Sequence, residues 1–209
     1  MTWGQTRGLN WLWLGLILGL AGCDKPPASE MNLVTGPGAN SKEAMISPGR
    51  SLVLPKPAEF GRSVEAAQLL TARYDSQSYS FEGRLSITPE RLVLVGLDGM
   101  GRRAMTVTWN GHDMVIDRAP WLPEAVRPGS MLADIVVLYW PEHAVRKALA
   151  PAGCTLLATP KTRKVRCGAG DVLRAKYDWP VEGKWSGSLQ YSNLAWGYEI
   201  DVQSQEVAQ

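Results

Sequence analysis

The sequence predicts an α+β fold: a curved antiparallel sheet with a two-helix insertion packed on its concave face. Three observations predict it. Segments in which apolar and polar residues alternate recur along most of the chain and are separated by turn signals. One block, near residues 130–149, carries a helical period instead. Strands and helices do not alternate in the parallel βαβ manner, which places the chain in the α+β class. Eight to ten strands in roughly 150 residues are enough for a sheet to curl into a half-barrel.

The elements follow in order. Ser51 to Pro57 reads as a short edge strand, and Val64 to Tyr74 as a short helix with Val64, Ala67, Gln68, Leu70 and Thr71 on one face. Phe81, Gly83, Leu85 and Ile87 alternate with Glu82, Arg84 and Ser86, the period of a half-buried strand. Arg91 to Leu97 is apolar on both faces and predicts a strand covered from both sides. Asp98-Gly99-Met100-Gly101 turns the chain into Met105, Val107 and Trp109. Asn110-Gly111 then signals a type I′ hairpin leading into His112 to Asp117. Ser130 is a candidate N-cap for an apolar helix from Met131 to Tyr139, and Pro141 opens a second helix from Glu142 to Leu149 with Val145, Ala148 and Leu149 inward. Strands return at Asp171 to Tyr177, Lys184 to Tyr191 and Trp196 to Val202.

Between the helices and these last strands lie Cys154 and Cys167. Folding that stretch about a two-residue turn at Pro160-Lys161 sets the two cysteines opposite each other, within disulfide reach. Two cysteines with the distant His112 and His143 do not make a metal site.

The amino terminus reads as an address. One positive charge at Arg7 precedes an apolar run of 11 residues from Trp11 to Ala21, too short for a bilayer span and proportioned like a secretory h-region. It ends in Leu20-Ala21-Gly22-Cys23, which resembles the lipobox of bacterial lipoproteins. Residues 1–22 are therefore expected to be a signal peptide and Cys23 the lipid-attachment residue. That residue would anchor a periplasm-facing protein to a membrane. Asp24 leaves the inner membrane open as its location beside the outer one. Residues 23–49, rich in Pro and Gly, read as a lipidated tether, 50–203 as one domain and 204–209 as a tail.

Composition sets further bounds. The chain has 209 residues, 45% of them hydrophobic, 22 basic against 20 acidic, so it carries a packed core and no nucleic-acid-binding charge. No catalytic or cofactor motif occurs: the glycines of Gly96 to Gly101 join two strands and open no helix, and there is no Gly-x-Ser-x-Gly, His-Glu-x-x-His or Cys-x-x-Cys. A non-enzymatic role without cofactor is the expectation. Lys161, Arg163, Lys164 and Arg166 cluster near the tip of the cysteine hairpin, where they would meet anionic headgroups or keep a sheet edge soluble.

Leu92-Val93-Leu94-Val95-Gly96-Leu97 with Gly101-Arg102-Arg103, then Leu138-Tyr139-Trp140-Pro141 with Leu149, and Asn193 with Gly197-Tyr198-Glu199-Ile200, resemble an uncharacterised family of bacterial lipoproteins. Genes of that family often lie beside aryl-polyene biosynthesis genes. The family in turn resembles the LolA/LolB carriers, whose curved antiparallel sheet closes with helices over an apolar cavity. The resemblance implies binding of a hydrophobic acyl or polyene-type cargo in the cell envelope, with no catalytic residues to transfer. The candidate cargo contacts are Trp109, Trp121, Leu138, Trp140 and Trp185, although aromatic residues at strand spacing also serve as plain core. Ala119-Pro120-Trp121-Leu122-Pro123 is the nearest candidate for the apolar loop by which LolB-type proteins insert cargo. The alternative is a structural or assembly lipoprotein that recruits a protein partner through a sheet edge or the basic hairpin and holds no lipid.

Overall fold

A computed structural model describes residues 42–179 and 185–207. The signal segment, Cys23, Asp24, most of the expected tether, Lys184 and the last two residues lie outside the described residues.

Ten antiparallel strands form one open sheet: β3 (Val64–Tyr74), β4 (Gln77–Ile87), β5 (Leu92–Leu97), β6 (Arg103–Trp109), β7 (Met114–Arg118), β8 (Cys154–Thr159), β9 (Thr162–Cys167), β10 (Gly170–Asp178), β11 (Gly187–Asn193) and β12 (Tyr198–Glu206). Strands β3 to β7 make one meander and β8 to β12 a second. The two join where β3 pairs with β12, from Ala66↔Glu206 to Tyr74↔Tyr198. The sheet edges are therefore β7 and β8, and they do not pair with each other. The chain between them forms α1 (Pro128–Tyr139) and α2 (Glu142–Leu149).

Helix α1 crosses the inner face of the sheet. Near its start Gly129 lies against Ile116 and Met114 of β7. Its middle bonds to β11 and β12 through Asp134. At its end Tyr139 bonds to Gln68 of β3, and Arg163 of β9 donates to its last carbonyls. A helix in this position has sheet on one side and other chain on the other, and Leu132 to Leu138 are accordingly all buried. Helix α2 is amphipathic and turns Ala144, Val145, Ala148 and Leu149 inward, as its pattern predicts.

A two-stranded hairpin of β1 (Glu43–Ser47) and β2 (Arg50–Val53) packs on the outer side of the helices, placing Ala44, Ile46, Leu52 and Leu54 in the core. The folded chain thus starts several residues before the expected boundary at 50, because alternate residues of 44–54 have an apolar layer to bury against. Ser51 to Pro57 is not an edge of the main sheet. Only its first residues form β2, and Pro57–Phe60 continues as a 3-10 turn.

The structure corrects several other expectations. Val64–Tyr74 is a strand and not a helix, because Val64, Ala66, Gln68 and Leu70 alternate inward and the ladder is filled on both sides. Helix α1 starts at Pro128, a residue suited to the first helical turn, so Ser130 is buried inside the helix and caps nothing. Strand β5 is covered on one face only, Val93, Val95 and Leu97 being half-buried. In the β6–β7 turn Gly111, and not Asn110, takes a positive φ, so it is not type I′. Asn110 instead accepts from the backbone N–H of His112 and Asp113. Strand β12 continues to Glu206 with Ser204 buried, which removes the expected start of a tail at 204. Register Cys154↔Cys167 and the Thr159↔Thr162 pair flanking Pro160-Lys161 agree with the expected hairpin, and the two cysteines form a disulfide with Cα atoms 4.2 Å apart.

Candidate functional site

The inner face between sheet and helices is where a cargo cavity would lie. Trp109 is 1% exposed, Leu138 3%, Trp140 0% and Trp185 2%. Side chains this nearly closed to water are packed against protein on almost every side. They are core. Trp109 fixes β6 to the segment after β2 by donating its Nε1–H to the Pro55 carbonyl at 2.8 Å. Trp140 and Trp185 meet around Phe60, with ring centroids 4.9 and 6.0 Å from it. Tyr139 stacks on Trp185 at 4.2 Å and on Trp179 at 5.8 Å, and the Tyr177 hydroxyl donates to the Leu138 carbonyl. Interlocked aromatic rings fill this end of the inner face. Trp121 is not part of it: it is 47% exposed in the loop after β7, with the Arg102 guanidinium 4.8 Å from its ring centroid.

A polar node sits in the middle of the apolar interior. Asp134, fully buried on α1, accepts from the Asn193 side chain at 3.0 Å and from the Tyr198 hydroxyl. Asn193, also fully buried, donates further to the Ile46 carbonyl, and its own oxygen accepts from the backbone of Ala195 and Trp196. One node thus ties α1, the β1–β2 hairpin and the β11–β12 turn together. No cation faces Asp134 among the described residues, and burial pushes its carboxyl up to about 7, partly offset by the two hydrogen bonds. The same burial, with Asp134 alongside, raises the hydroxyls of Tyr191 and Tyr198. A second buried contact joins Gln68 to the Tyr139 hydroxyl and to Ser204. Sequence reasoning passed over Asp134, although one acid inside an otherwise apolar helix was the available signal.

The model of a family described as protein of unknown function (DUF3261) matches residues 65–206. The chain belongs to this family. The DUF3261 match covers the ten strands of the sheet except for Val64, and both helices, and so includes Asp134, Asn193, Tyr198 and the two cysteines. It leaves out the β1–β2 hairpin, which nevertheless contributes Ile46 and Leu52 to the core. None of the curated proteins matches the chain.

Outside the interior, the DUF3261 domain carries few convergent groups. His112 and His143 are both exposed, in the β6–β7 turn and the first turn of α2. Among the described residues no group of three or more His, Cys, Asp or Glu is placed to hold a metal ion, and no helix is long and apolar enough to cross a membrane. An open groove of about 450 Å3 runs from β12 across β3 and β4 to the β5–β6 turn, past Gln203, Leu69 and Glu82. Its acids are engaged: Asp98 accepts from the backbone of Met100 and Arg102 and from the Arg102 side chain, and Glu82 pairs with Arg84. The four cations expected at the tip of the cysteine hairpin divide. Arg163 turns inward to the Val137 and Trp140 carbonyls at 2.7 and 2.8 Å, while Lys164 and Arg166 reach Asp171.

Proposed function

We propose that this DUF3261 member is a non-enzymatic lipoprotein of the bacterial envelope, held to a membrane through Cys23, whose domain recruits a protein partner and stores no lipid. What supports the second half of this reading is the packing of the inner face: four of the five side chains expected to line a cavity, Trp109, Leu138, Trp140 and Trp185, belong to the buried core. The open sheet bridged from edge to edge by helices is compatible with a LolA/LolB-like architecture. The ring contacts of Trp140 with Phe60 and of Trp185 with Tyr139 on the inner face support a domain that keeps no space for acyl chains there. Recruitment has a physical basis at the sheet edge. Among the described residues strand β7 pairs on one side only, and its Val115 is exposed, so an extended segment of a partner has a strand to add to.

The test uses the full chain in a bacterial envelope. Labelled palmitate is expected to enter the protein and to be lost in Cys23→Ser. A photo-crosslinker at Val115 is expected to give one discrete protein adduct. Unlabelled protein would remove the anchor, and crosslinks to lipid alone would favour the cargo reading over recruitment.

A further inference from the structure

The outer face of β8, β9 and β10 carries a charge distribution that neither core packing nor edge protection explains. Two rows of register-matched residues cross it. Leu157, Lys164, Arg174 and Ser192 form one, and Thr159, Thr162, Lys176 and Gln190 the other. Arg166 lies opposite Asp171 in a third, next to Thr155. With Lys161 at the hairpin turn, this face holds five cations against the carboxylates of Asp171 and Asp178. Its excess of three exceeds the +2 of the whole chain, so positive charge is concentrated here and the remainder of the protein is slightly acidic.

The arrangement works against the sheet. Lys164 sits directly opposite Arg174, and like charges at opposed strand positions are destabilising. Asp171 relieves only part of this: its one carboxylate is shared by Arg174 at 2.8 Å, Arg166 at 2.9 Å and Lys164 at 3.6 Å, and those guanidinium groups hold its carboxyl down to about 2. Lys176 has no carboxylate within ion-pair distance among the described residues. Edge protection is not the reason for the charges, because the edge strand β8 presents uncharged Thr155, Leu157 and Thr159 while the cations stand one and two strands inside it. The plate is also rigid. The disulfide closes its hairpin at the base, and Arg163 fixes β9 to the end of α1.

We propose that this plate docks on the anionic phospholipid headgroups of a membrane. Guanidinium and ammonium groups in fixed positions match a layer of phosphates, and such a layer would relieve the Lys164–Arg174 opposition. Hydroxyls of Thr155, Thr162 and Ser192 border the cations as further donors. Leu157, 52% exposed beside Lys164, gives the plate an apolar contact for the boundary below the headgroups. The inference concerns the folded domain and is independent of lipidation at Cys23.

The test compares partition of the full chain onto phosphatidylcholine vesicles with partition onto vesicles containing one quarter phosphatidylglycerol, in wild type and in variants that share the same amino-terminal segment. Wild type is expected to prefer the anionic vesicles, and the preference is expected to shrink as salt is raised. Lys164→Gln/Arg174→Gln/Lys176→Gln is expected to lose about fivefold of the preference per charge, on the order of a hundredfold in all. It should melt no lower than wild type. Lys56→Gln/Arg91→Gln/Lys147→Gln removes the same charge elsewhere and is expected to keep the preference. Should the first triple variant fail to fold, Lys176→Gln alone, which breaks no ion pair, is expected to show the fivefold loss. No preference in wild type, or equal loss in both triple variants, overturns the proposal.

Discussion

A carboxylic acid in the middle of an apolar helix either finds a cation or keeps its proton. Asp134 has no cation among the described residues, and its partners Asn193 and Tyr198 are neutral donors. With its folded-state carboxyl raised to about 7 against about 3.9 in an unfolded chain, the native protein holds a proton that the unfolded chain has lost. Stability from this group is therefore fully present below about pH 4 and falls as pH rises to about 7, by up to about 4 kcal/mol, and is flat beyond. Urea denaturation at pH 5 and pH 8 is expected to show the lower stability at pH 8, and Asp134→Asn is expected to flatten the difference. Equal slopes in wild type and variant would contradict the assignment. Tyr198→Phe removes a hydrogen bond that favours the charged form, so the decline is expected to extend to higher pH.

At the scale of elements, α1 depends on a residue far from it in sequence. Its C-terminal carbonyls at Val137 and Trp140 have no helical partner and are taken by Arg163 of β9. Arg163→Met is expected to cost about 1.5–3 kcal/mol in equilibrium denaturation, against about ±0.5 for Lys161→Met at the exposed turn. Breaking the disulfide in Cys154→Ser/Cys167→Ser is expected to cost about 3 kcal/mol, through the entropy of the loop it closes. That hairpin was legible because opposed cysteines and a Pro-Lys turn are local signals. Strand β3 was not, since Val64-Glu65-Ala66-Ala67-Gln68-Leu69-Leu70 has good helix formers at both periods, and only the ladders to β4 and β12 decide between them. The β1–β2 hairpin was hidden for a similar reason: Ala44, Ile46 and Leu52 look like scattered apolar residues until the helices give them a surface.

For the whole molecule, the class was legible and the interior was not. Alternation and turn residues specify an antiparallel sheet with a helical insertion, but whether its inner face is empty depends on how side chains from distant strands interlock. Trp140 and Trp185 are linked through Phe60, far from both in sequence, whose ring packs edge-on against each. Nor does sequence place charge on one face of the sheet, because Arg174 and Lys176 join Lys164 only through the β9–β10 register. The filled interior has a direct consequence for Leu138, which is 3% exposed. Leu138→Trp is expected to destabilise the domain by about 1–3 kcal/mol in denaturant titration through overpacking, whereas a protein with a cavity there would accept the larger ring at little cost.

The most direct test is native mass spectrometry, with organic extraction, of the full chain isolated from a bacterial envelope. The account predicts the mass of the polypeptide with its covalent acyl groups and nothing further, before and after incubation with fatty acids. A stoichiometric, extractable acyl or polyene molecule bound to the folded domain would contradict it.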